Sequence, residues 1–319
     1  MGLRGARAVL ATTAVVLVTS GTGLVVPSAA AVPVEPPVTE PGEQADPPSW
    51  GLDRIDQREG LDQLYRYPAR AGEVTVYVID TGVDGTNPEF DGRVWPGKDF
   101  VDDDNHATDG NGHGTHLAGV IGAERHGIAK DVRIMPVRVL DDNGAGNLLD
   151  ILAGIEWVTV NATQPAVAVF GIGGPPEEAL DEAVRELATV MPVAVPAGSS
   201  GASAAEFSPG RVAEALTVAA ADRDDAAIAR SNSGSAVDLF APGAEIPAPS
   251  TGGAVSVQSG TSTAAAHVAG AAALYRAQHP DATPAEVSAA IVAAATEDAL
   301  TDVPDGTANR LLFTGSVQP

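Results

Sequence analysis

The chain contains no cysteine, and its 319 residues include only three tryptophans, four tyrosines and six phenylalanines. Without cysteine there is no disulfide, no thiolate nucleophile and no thiolate metal ligand. A domain of this size does not depend on disulfides, so their absence leaves the redox compartment open. With so few aromatics, alanine and valine must fill much of the core that the 44% hydrophobic content builds. Basic residues are scarce as well: 18 Lys and Arg stand against 42 Asp and Glu, a formal net charge of −24. That charge argues against nucleic acid or an anionic membrane as a partner and favours solubility.

Arg4 and Arg7 precede an apolar stretch from about Ala8 to Val26, and Pro27-Ser28-Ala29-Ala30-Ala31 offers small residues for cleavage. Residues 1–31 therefore read as a signal peptide, which implies a secreted, extracellular protein with no membrane attachment once the segment is removed. Residues 32–48 are rich in Pro and Glu and have no apolar period, and they read as a disordered tether. Residues 49–319 read as one folded domain. Strand-forming runs (Val74–Ile79, Arg133–Leu140, Ala166–Phe170, Pro192–Val195, Leu216–Ala219, Val237–Phe240) alternate with helical stretches following His113, Gly146, Pro175 and Thr261. A last helix over Pro284–Ala295 carries a capping box, Thr283 with Glu286. Such alternation predicts an α/β fold of three layers, a mostly parallel central sheet with helices on both faces. In open parallel sheets the ligand crevice lies beyond the carboxyl ends of the strands.

Three glycine-flanked segments carry the chemistry: Val78-Ile79-Asp80-Thr81-Gly82, Gly112-His113-Gly114-Thr115-His116, and Ser259-Gly260-Thr261-Ser262-Thr263-Ala264-Ala265-Ala266-His267. They offer a carboxylate, an imidazole and a hydroxyl, the groups that turn an alcohol into a nucleophile. Each segment alone has a plainer reading. Asp80 fits a turn cap, His113 and His116 share a helix face at metal-ligand spacing, and Ser262 fits a helix N-cap. No carboxylate or third histidine completes a zincin pattern, and the single Asp-Thr-Gly rules against an aspartic peptidase, which needs two. Taken together and in the order Asp…His…Ser, the segments resemble the subtilisin-like serine peptidases (subtilases), in particular the proteinase K branch.

That resemblance spans about residues 49–315 and implies a subtilisin-like fold, an Asp80–His113–Ser262 triad and a serine endopeptidase acting on extended polypeptide as a monomer. It also implies two strands that hold the substrate, one containing Gly144, Ala145 and Gly146 and the other Gly171, Ile172 and Gly173. The second begins Ser-Leu-Gly in the family and Gly-Ile-Gly here. Where the family presents Ala-Gly-Asn, whose amide donates to the oxyanion, this chain has Ala197-Gly198-Ser199. Ser199 thus becomes the oxyanion candidate, and a slow peptidase is expected. The alternative is an impaired pseudopeptidase that binds extended peptides without cutting them. No cofactor is required for this chemistry; Asp238 aligns with a calcium-ligating aspartate of the branch, which makes calcium possible there, and a turn role for Asp238 fits the sequence equally well. Residues 32–48 are too few for the folded inhibitory propeptide that the resemblance implies.

Overall fold

The structure is a computed structural model that describes residues 41–315. The expected signal peptide and the first part of the tether, residues 32–40, lie outside the described residues. Among the described residues thirteen strands are formed: β1 (Gly42–Ala45), β2 (Leu64–Tyr67), β3 (Thr75–Asp80), β4 (Lys98–Asp99), β5 (Arg133–Arg138), β6 (Ala166–Phe170), β7 (Val193–Pro196), β8 (Leu216–Ala221), β9 (Leu239–Pro242), β10 (Ile246–Pro249), β11 (Val255–Gln258), β12 (Thr296–Glu297) and β13 (Arg310–Leu311). Six α-helices accompany them among the same residues: α1 (Trp50–Ile55), α2 (His113–Gly122), α3 (Leu148–Asn161), α4 (Glu178–Val190), α5 (Thr261–Gln278) and α6 (Pro284–Ala294).

Nine strands form one sheet in the order β12-β13-β9-β8-β7-β6-β3-β5-β4, parallel throughout except for the β12–β13 pair. Side chains alternate between the faces of a strand, and β3 and β6 obey this rule. Val76, Val78, Val167 and Val169 pack on one face with Leu117 and Ile121 of α2 and the alanines of α5. Tyr77, Ile79, Ala168 and Phe170 pack on the other with Ile151 and Ile155 of α3 and Leu180 and Val184 of α4. Both faces are covered, so the central strands are buried on every side chain and read as unbroken apolar runs. Alanine and glycine make up half of α5, which lets this long helix lie close against β6, β7, β8 and β9. The three-layer expectation holds. The capping box at α6 also forms: Thr283 Oγ1 accepts from Glu286 N, and the Glu286 carboxylate accepts from Thr283 N at 2.8 Å.

The tether expectation does not hold for its last part. Residues 42–45 form β1, paired antiparallel with β2. The pairing is made by backbone and by long-range contacts that a local reading does not contain. Gln44 accepts from the buried Lys130 ammonium at 2.6 Å and donates to Arg125 O at 3.0 Å. Strands β10 and β11 form a separate two-stranded hairpin that runs into α5.

Candidate active site

Asp80 is the last residue of β3, at the carboxyl end of the sheet, and is fully buried. Its Oδ1 accepts from Thr81 N at 2.7 Å, and both of its oxygens lie 2.9 Å from His113 Nδ1. The other ring nitrogen, Nε2, lies 3.0 Å from Ser262 Oγ. With a carboxylate against Nδ1, the proton belongs on Nδ1, which leaves Nε2 as an acceptor for the serine hydroxyl. Burial alone would push the His113 pKa down. The charge and hydrogen bond of Asp80, helped by the charge of Asp109, outweigh it and hold the ring above its ordinary 6.5.

His113 opens α2, whose cap, Gly112, sits at a left-handed φ of 104° and supplies no side chain. Asp109 takes over that duty. Its Oδ1 accepts from Asn111 N (2.9 Å), Gly112 N (2.8 Å) and the Thr81 hydroxyl (2.8 Å), and its Oδ2 accepts from Thr115 N (2.9 Å) and Oγ1 (2.6 Å). Thr81 Oγ1 in turn accepts from Gly114 N at 3.0 Å. The turn carrying the imidazole is therefore tied to the residue that follows Asp80. Asp109 and Thr81 are positioning residues that local sequence reading passed over; the available signal was a buried-type Asp-Gly-Asn-Gly turn immediately before a helix.

Ser262 is the second residue of α5. Gly260 occupies the cap, so the plainer reading of Ser262 as an N-cap is wrong: its hydroxyl faces His113 and not its own helix end. The backbone N–H of Ser262 belongs to the first helical turn and has no intrahelical acceptor. A methyl group placed on Gly260 would stand 3.8 Å from Ser262 Oγ and 3.9 Å from Ser199 Oγ, so both hydroxyls border one small space. Ser199 is exposed, and among the described residues its side-chain neighbour at hydrogen-bond range is Thr261 Oγ1 at 3.4 Å. Its loop is better held than its hydroxyl. The buried Asn232 accepts from Ser200 N and Ala202 N at 3.0 and 3.1 Å, and donates to Ala197 O at 2.9 Å. Gly198 has φ 101°, and any Cβ there would run into the Asn232 amide.

A cleft of about 460 Å³ opens beside these groups, lined by Leu140, Leu148, Ile151, Ile172 and Leu180 together with Gly144, Gly146, Gly171 and Gly173. Among the described residues the N–H and C=O groups of Ile172 and Gly173 make no hydrogen bond. Ala145 differs from the expectation. Its N–H donates to Asp141 Oδ1 at 2.9 Å and its C=O accepts from Asp141 N at 2.8 Å, so both groups are used within their own loop. Neighbouring residues of an extended segment point their backbone groups opposite ways, and it is Gly146 that faces the cleft with groups to spare. Gly171 has a steric reason: a Cβ there would overlap Asp80 Oδ2.

His116 lies buried behind the site, with Nε2 2.9 Å from Ile246 O. Among the described residues no group of three or more His, Cys, Asp or Glu could hold a metal ion, so the His113–His116 metal reading has no third ligand. Asp238 stands apart, in a cleft with Glu214, Glu297 and Arg310. Burial raises its pKa against the opposing Thr217 N–H and Arg310 charge. It supplies one carboxylate, so most of the six to eight oxygens that Ca²⁺ takes would be backbone and water.

The model of the subtilase family matches residues 71–313. An alkaline serine exoprotease A of Vibrio alginolyticus is 45% identical over 266 residues, covering 83% of this chain and 50% of the relative. An extracellular serine proteinase of Thermus sp. (strain Rt41A) is 43% identical over 272 residues, covering 84% and 66%. The chain thus spans half to two thirds of the length of these relatives. A cuticle-degrading protease of Metarhizium anisopliae is 38% identical over 281 residues, covering 86% and 72%. The crystal structure of a cold adapted subtilisin-like serine proteinase, 43% identical, superposes with a TM-score of 0.82 over 84% of this chain and 98% of that one. No helix among the described residues is long and apolar enough to cross a membrane.

Proposed function

The chain belongs to the subtilase family, and from that premise we propose that it is a secreted serine endopeptidase using Asp80, His113 and Ser262. The observation that carries this reading is the unbroken hydrogen-bonded chain from a buried carboxylate through an imidazole to a serine hydroxyl at a helix N-terminus. Ser262 Oγ attacks the peptide carbonyl carbon while His113 Nε2 accepts its proton. Asp80 fixes the tautomer and stabilises the imidazolium. The imidazolium then gives its proton to the departing amine, and a water repeats the sequence on the acyl-enzyme. The Ser262 N–H and the positive end of α5 face the developing oxyanion, with Ser199 as a second, shorter donor. The chemistry needs no cofactor, and a calcium ion at Asp238 would be structural.

The substrate is an extended polypeptide lying between Gly146 and the Gly171–Gly173 segment, where free backbone groups pair with it. The leucine- and isoleucine-lined cleft beside them takes an apolar side chain. The Vibrio and Thermus relatives are described as an exoprotease and an extracellular proteinase, which supports secretion of this chain. The test is hydrolysis of a short apolar peptide anilide by the purified chain. Turnover that Ser262→Ala abolishes supports the reading; turnover by the intact chain that survives the substitution overturns it.

One observation favours the second reading, a peptide-binding pseudopeptidase. Ser199, exposed and 3.4 Å from its neighbour, replaces an amide that the family aims at the oxyanion. Losing such a donor costs about 10²–10³ in kcat, which by itself slows an enzyme without silencing it. Peptide binding with no Ser262-dependent turnover would establish this second reading.

A further inference from the structure

Hairpin β10–β11 has two unequal edges. Its register pairs Ile246 with Gln258, Pro247 with Val257, Ala248 with Ser256 and Pro249 with Val255. Antiparallel pairs alternate between those that exchange hydrogen bonds and those that do not, and proline has no N–H to exchange. The bonded pairs are therefore Ile246–Gln258 and Ala248–Ser256. Pro247, Pro249, Val255 and Val257 turn their backbone groups outward. On β10 that outer edge is blunted by the two prolines. On β11 it carries the N–H and C=O of Val255 and Val257, and among the described residues none of these four groups has a partner.

The side chains add to the contrast. Val255 and Val257 are 54% and 63% exposed, whereas Ser256 and Gln258 point inward along the same strand. An open edge with β-branched side chains on its exposed face is the template that natural proteins usually disguise with charge, proline or a bulge. Here the disguise is on the partner strand only. The strand then continues through Ser259, Gly260 and Thr261 into Ser262.

We propose that the outer edge of β11 is a second substrate-binding strand, which adds an extended segment of the polypeptide lying beyond the scissile bond from the Gly171–Gly173 side. The occupant is identified by continuity: a chain held at Ser262 and kept extended reaches Val257 within about 17 Å, or roughly five residues past the bond. Its backbone pairs with Val255 and Val257, and its apolar β-branched side chains lie across from theirs. This proposal rests on the peptidase reading above and extends the substrate on the leaving-group side.

The test uses the full chain carrying Ser262→Ala, so that peptide is held and not cut. Two fluorescent peptides share the residues that occupy the cleft and continue two or seven residues past the scissile bond, the longer one with alternating valines. Several added ladder hydrogen bonds make the longer peptide bind roughly tenfold more tightly. N-methylating alternate backbone amides of the extension removes the gain from the ligand side, without touching the protein. Val257→Pro, which deletes an outward N–H and no bond to β10, removes it from the protein side. Equal affinity for the two peptides overturns the proposal, as does a gain that survives both changes. Self-association of the peptide-free chain that Val257→Pro abolishes also overturns it, because a second copy then holds the edge. Failure of the intact chain to hydrolyse a short anilide with nothing beyond the scissile bond would count against the peptidase reading alone, since the binding result is independent of turnover.

Discussion

His113 and Ser199 both lie near the Ser262 hydroxyl, and they are held very differently. His113 sits on a turn whose backbone N–H groups converge on the buried Asp109, and Thr81, the residue after Asp80, is hydrogen-bonded to that turn. Ser199 sits on a loop that Asn232 holds by its backbone, while its own hydroxyl is exposed and loosely placed against Thr261. A proton relay works over a few tenths of an ångström, so its parts must be fixed before substrate arrives. A donor to a developing charge can be shortened and still leave the reaction running, because the helix-end N–H remains. On the proposed reading, the parts with small tolerance are the firmly held ones, and the loosely held hydroxyl is the part with larger tolerance.

The sharpest way to break this contrast is Asp80→Asn. Without the carboxylate the imidazole adopts the wrong tautomer, and kcat is expected to fall by about 10⁴. The base must be neutral to act, so activity rises with pH as His113 loses its proton. Asp80 holds that titration above 6.5, and its removal moves the acid limb of the residual kcat/KM profile to lower pH. An acid limb that stays in place, or moves upward, would show that Asp80 does not set the base.

The opposite change probes the other side. Ser199→Asn restores a longer amide on a loop already held by Asn232, and kcat is expected to rise by about 10²–10³ with little change in KM. An unchanged kcat would mean that the Ser199 corner does not contact the oxyanion.

Two buried imidazoles behind the site sharpen the comparison through pH. Burial pushes His116 and His267 down to about 4, so the folded protein keeps both neutral while the unfolded chain protonates them near 6.5. Stability present above pH 6.5 is therefore lost as pH falls towards 4, on the order of 3 kcal/mol per imidazole. Asp56, raised to about 6 by burial, acts in the opposite sense between pH 6 and 4, a single group against two. Urea midpoints are expected to drop from pH 7 to pH 5, and the His267→Gln variant should lose part of that drop. The smallest effect is expected from Asn232→Ala, which leaves the Ser200 and Ala202 N–H groups without their acceptor at a cost of about 1–3 kcal/mol. In that variant turnover should fall only through the Ser199 loop; loss of the His113 acid limb would mean that the two halves of the site are not independently held.

Much of this architecture is legible in the sequence because its information is local. The apolar runs that become β3 and β6 announce themselves, and so do the helix starts at His113, Thr261 and Pro284. The triad is legible because three different residue types recur in a fixed order. What escapes is non-local. Gly42-Glu43-Gln44-Ala45 has no apolar period, and its strand exists through β2 and through Lys130, 86 residues away from Gln44. The hairpin is hidden because Ile246-Pro247-Ala248-Pro249 looks like a proline-rich loop until the spacing of its prolines is seen to match the outward edge. The sense of Ala145 depends on which way one peptide plane faces, and the roles of Asp109 and Asn232 depend on where distant N–H groups converge. The glycine at 171 reads in sequence only as Gly-Ile-Gly in place of Ser-Leu-Gly, whereas in space it is room for a carboxylate oxygen.

On the proposed reading, Ser262 is made nucleophilic by His113. The direct measurement is site-resolved labelling of the folded full chain with a fluorophosphonate across pH. A single adduct is expected on Ser262, formed at a rate that rises as His113 deprotonates and abolished in His113→Ala. A folded chain that stays unlabelled, or one labelled equally with and without His113, would contradict it.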